Sequence, residues 1–70
     1  MSPEPADRVR TLLLRADNVL KNEGDVADRE RRAREALEQA RAVAAEGGVD
    51  ERVRELIERR LTLLEAGGPG

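Results

Sequence analysis

Three hydroxyl groups, on Ser2, Thr11 and Thr62, are the only side-chain alcohols in the chain, and no histidine stands anywhere to activate one. No cysteine supplies a thiolate nucleophile. Without histidine, no side chain of ordinary pKa changes charge near neutrality. Carboxylates are abundant, and Asp28, Glu35 and Glu38 come closest to a cluster. Glu35 and Glu38 share a helix face at i,i+3. A di-metal carboxylate site asks for Glu-x-x-His motifs on facing helices, and a zinc site for thiolate or imidazole. This alphabet has neither, so these acids suit a solvated, ion-pairing surface. The sequence therefore predicts no enzyme, no cofactor, no metal and no small-molecule substrate.

Charge narrows the partner classes. Thirteen basic residues are outweighed by fifteen acidic ones, with the signs interspersed. Phosphate binding wants a basic stripe, and single-strand binding wants aromatic platforms. The chain has no aromatic residue at all, so nucleic acid is not an expected partner. No apolar run approaches the ~18 residues of a membrane span. No basic segment followed by an apolar stretch opens the chain as a targeting signal would. The expectation is a soluble, cytoplasmic protein that meets another protein or associates with itself.

At 70 residues the chain has room for a single domain. Its usual staples, disulfides and metals, are missing, which leaves well-formed helix packing or assembly. Punctuation divides it into three helices over about 3–22, 25–46 and 50–66. Ser2 and Pro3 suit an N-cap and first helical position, with Pro5 still in the first turn. Gly24 supplies a left-handed residue, Asp25 caps the second helix, Gly47-Gly48 ends it, and Asp50 caps the third. Residues 67–70, Gly-Gly-Pro-Gly, are expected to be a flexible tail beyond a single domain of residues 1–66.

Each helix carries one apolar stripe at heptad positions a, d and e. The first has Val9, Leu12, Leu13, Ala16, Val19 and Leu20. The second has Val26, then Ala33, Ala36, Leu37, Ala40, Val43 and Ala44. The third has Val53, Leu56, Ile57, Arg60, Leu63 and Leu64, with Leu61 at its edge. Short connections make consecutive helices antiparallel neighbours. The fold class is thus all-α, an antiparallel up-down-up three-helix bundle. The alanine stripe of the second helix lets its backbone approach the others, and leucines fill the space.

Residues 8–20 align with 52–64 without a gap, identical at six of thirteen positions. A helical repeat of period 44 would produce this, but a solenoid normally needs three or more units. Two helices solving one packing problem with a narrow alphabet would produce it too.

The Ser2-Pro3-Glu4-Pro5 opening, the Gly24-Asp25 and Gly47-Gly48-Val49-Asp50 loop-and-cap units, and helix surfaces written in Arg, Glu and Ala resemble de novo designed three-helix miniproteins. Runs such as 31–40 and 50–59 carry this resemblance best, and it covers nearly the whole chain. It implies a binder or an assembly scaffold. Arginine outnumbers lysine twelve to one, a departure that a small natural helical interaction domain from a GC-rich bacterium would share. The Ala33, Leu37, Ala40 spacing is also similar to the second helix of a tetratricopeptide repeat, without that repeat's first-helix Trp, Gly and Tyr.

Leu14 sits about 160° from the centre of the first helix's apolar stripe, so it points outward. Around it lie Asp7, Arg10, Thr11, Arg15, Asn18, Lys21 and Asn22. Thr and Asn are poorer helix formers than the Arg and Glu used elsewhere. The face composed of Arg10, Thr11, Leu14, Arg15, Asn18 and Asn22 is the candidate partner-binding surface. Single exposed leucines are also common without any partner. Arg60, in the middle of an apolar stripe, must snorkel, pair or lie at an interface, with Glu30 as a candidate carboxylate partner. Pairs Glu4/Arg8, Glu30/Arg34, Glu38/Arg41 and Glu55/Arg59 are spaced to support their helices.

Overall fold

A computed structural model describes residues 4–21 and 24–66. Three helices follow in order, α1 Pro5–Lys21, α2 Val26–Ala45 and α3 Glu51–Glu65, forming an all-α three-helix bundle. Ion pairs and hydrogen bonds fix the up-down-up course. Arg8 near the start of α1 reaches Glu46 at the end of α2, at 4.0 Å. At the opposite end, Arg29 Nη1 of α2 donates to the Leu20 carbonyl of α1 at 3.1 Å. Arg41 of α2 meets Glu58 of α3.

The helix starts follow from their caps. Asp25 accepts from the Ala27 N–H at 3.3 Å and Asp50 from the Arg52 N–H at 3.1 Å, each satisfying an otherwise orphaned donor. At α1 the first helical residue is Pro5, and the Glu4 carbonyl accepts from the Arg8 N–H at 3.0 Å. That is the place expected for Pro3. Ser2 and Pro3 lie outside the described residues, as do Asn22 and the 67–70 tail. Between α2 and α3 the chain reverses through Gly47 and Gly48, at φ +104° and +78°. Only glycine adopts such backbone at little cost.

The core forms on α2. Ala33, Ala36, Leu37, Ala40, Val43 and Ala44 are all buried, the stripe expected from the sequence except for its first member, Val26, which is exposed. Val9 and Ala16 of α1 and Ile57, Leu61 and Leu64 of α3 complete it, with Leu12, Leu13, Val49 and Val53 packed around them. Five of the eleven core residues are alanine, so the backbones approach closely.

The bundle is not a closed triangle. α1 packs on α2 and α2 on α3, while α1 and α3 barely touch. The Cα envelope measures 36 × 24 × 14 Å. Three parallel axes at ~8–10 Å in a triangle would fill only about 12–15 Å each way. α2 is therefore the central helix, with an open seam between its two neighbours.

α3 is also rolled about its axis relative to the expected stripe. Its buried residues, Ile57, Leu61 and Leu64, with half-buried Val53, centre about 50° from the a/d/e stripe on a 3.6-residue turn. Leu61 enters the core in place of Arg60, and Leu56 and Leu63 turn outward. Burying an unpaired guanidinium costs several kcal/mol, whereas burying a leucine gains ~1.5–3 kcal/mol. The exchange of Arg60 for Leu61 accounts for the roll.

Candidate functional site

The outer face of α1 is built by the helical repeat alone. Val9 and Ala16 turn into the core, and the side chains opposite them meet solvent. Leu14 is 56% exposed, and Arg10, Thr11, Arg15 and Asn18 around it are exposed as well. These five expected residues share one convex surface. None of Arg10, Arg15 and Lys21 joins an ion pair among the described residues. Asp7 lies on this face, and Asp17, three residues beyond Leu14, is taken up by Arg60, so among the described residues the unpaired charges around Leu14 include the cations Arg10 and Arg15 on a chain of formal net charge −2.

Arg60 takes a different partner from the one expected. Its Nη1 donates to Asp17 Oδ1 of α1 at 2.5 Å, and both side chains are partly shielded. Glu30 lies along the same groove without an ion pair to Arg60. Asp17 sits on the flank of α1 that faces α3 across the seam, within reach of the guanidinium, whereas Glu30 belongs to the α2 wall of the groove. The ~50° roll of α3 turns Arg60 out of the core and toward Asp17.

The expected intrahelical pairs are replaced by others. Arg41 donates to Glu58 of α3 through Nε and Nη2, each at 2.7 Å, instead of pairing with Glu38. This bidentate hydrogen bond with Glu58 is the chief reason the Arg41 guanidinium is held above its ordinary pKa. Arg31 and Arg32 both converge on Asp28, at 2.5 and 3.3 Å. Among the described residues Arg34 Nε is buried without a hydrogen-bond partner, and no Arg34–Glu30 ion pair forms. The Glu4/Arg8 and Glu55/Arg59 pairs are likewise not formed; Arg8 turns to Glu46.

One surface escaped the heptad pattern. A groove of about 740 Å³ opens between the C-terminal halves of α1 and α3, with the start of α2 as its third wall. Leu20, Val26 and Leu63, all expected inside, are exposed along it. The available signal was Arg60 itself. A charge at the centre of a stripe, with Leu61 beside it, indicates that the true stripe is rotated.

Among the described residues no group of three or more acids, cysteines or histidines is placed to hold a metal ion. No described helix is long and apolar enough to cross a membrane. No family model, no curated protein and no solved structure matches this chain.

Proposed function

We propose that this chain is a non-enzymatic interaction module, of the kind built as designed helical miniproteins, that docks a protein partner on the outer face of α1. Leu14 is the apolar anchor, Thr11 and Asn18 are adaptable polar contacts, and Arg10 and Arg15 are rim charges; Asn22, outside the described residues, joins them on its sequence spacing alone. The observation that carries the reading is Leu14, more than half exposed among unpaired cations on the helix's convex side. Helix-on-helix packing suits such a face, and its cations suit carboxylates. The partner that fits is an amphipathic helix with an aliphatic stripe flanked by acids.

A synthetic leucine-striped, glutamate-flanked helix is a suitable probe, read by amide chemical shifts of the labelled protein. Perturbations should centre on Thr11, Leu14 and Asn18, weaken with salt, and vanish in Leu14→Asp. Perturbations centred elsewhere, or undiminished in that variant, would reject the α1 face.

A further inference from the structure

The open seam between α1 and α3 is a second surface, and Leu14 is not among the residues lining it. We infer that the seam is a self-association surface, covered by the same seam of a second copy of this chain. Its lining is mainly aliphatic, with Leu37 and Ala16 at the base and Leu20, Val26 and Leu63 along the walls. Val26 and Leu63 are 55% and 63% exposed, and three of the five large exposed hydrophobic side chains among the described residues lie on this one groove. Clustered exposed aliphatic residues mark an interaction site, where scattered ones would not.

Two properties select a second copy as the occupant. The first is charge. The groove carries Asp17 and Glu30 together with Arg29 and Arg60, two of each sign. A strongly acidic or strongly basic partner would meet like charges here. Asp17 and Arg60 already neutralise each other within one chain, so a second copy brings no excess of either sign to the groove and its aliphatic walls can meet. The second is size. The broad face of the molecule spans 36 × 24 Å in its Cα envelope. The groove occupies one end of that face, so a dimer burying the ~800 Å² per partner of a stable interface would extend from the groove over the rest of the face, and homodimer interfaces are the more apolar kind. The groove is open and has no convergent polar groups at its base, which disfavours a small molecule.

Sedimentation or light scattering over about 1 µM to 1 mM tests this, with circular dichroism to verify folding of each variant. The expected result is a reversible dimer that Leu63→Glu weakens at least ~10-fold. Val26→Glu gives a second, independent reading. It stands at the first position of α2, where a carboxylate suits the helix N-terminus, so it should fold normally and weaken the dimer as well. Leu14→Asp should leave the dimer unchanged, which separates this surface from the outer face of α1. A wild-type chain that stays monomeric throughout, or a dimer that resists both glutamates, would overturn the proposal. So would a dimer broken by Leu14→Asp alone.

Discussion

Arg60 and Asp17 form an ion pair across 43 positions of sequence, joining two helices whose backbones scarcely meet. Its location matters more than its strength. Held at the rim by Asp17, Arg60 stays out of the core, and Leu61 occupies the place that a regular heptad would assign to it.

Replacing Asp17 with asparagine should therefore lower stability only modestly. Both side chains keep about a third of their exposure, so the pair is partly screened and worth ~0.5–1 kcal/mol. Chemical denaturation of Asp17→Asn, Arg60→Gln and the double variant would give the coupling directly. A coupling energy near zero would show that the pair does not hold α3 in its rolled orientation.

Leu37 and Leu14 make a controlled comparison on neighbouring helices. Leu37 is fully buried, and Leu37→Ala should cost ~2–5 kcal/mol by lost transfer energy and a residual cavity. A chain of this length has ~4–10 kcal/mol in all, so this variant should melt far lower or fail to fold. Leu14→Ala should stay within ~0.5 kcal/mol of the parent. Thermal melts followed at the helical dichroism band would separate the two.

Close helix approach along α2 predicts intolerance of larger side chains. Ala40 has no exposed surface, and Ala40→Leu should destabilise by ~1–3 kcal/mol through overpacking. Ala42, two residues on, is exposed, and Ala42→Leu should be nearly neutral. Equal effects at both positions would contradict the observed facing of α2.

The two aspartate caps offer a local test. Asp25→Ala and Asp50→Ala each remove the side-chain acceptor for one helix-start N–H. Each should cost ~0.5–2 kcal/mol, measurable as a lower denaturant midpoint with unchanged slope.

Much of this architecture was legible from residue order. α2 could be read almost completely, because alanine, leucine and valine repeat at helical spacing and no charge interrupts them. The outward direction of Leu14 followed from the same geometry. α3 was harder, since its stripe contains Arg60. Whether that residue snorkels, pairs or forces a rotation depends on Asp17, and helical periodicity carries no information across 43 residues. Leu20, Val26 and Leu63 failed for a related reason. Apolar spacing tells which side of a helix seeks cover, but not whether a neighbour arrives to provide it. Here α1 and α3 stand apart, and the cover is missing along their seam.

The central place of α2 has a consequence for how the molecule opens. α1 shares the broader interface with α2, and α3 the smaller one. Loss of α3 would leave an α1–α2 hairpin with most of its contacts intact. Amide hydrogen exchange should then be graded along the chain, with α3 exchanging through a partial opening of lower free energy and the α1–α2 pair protected up to the global limit.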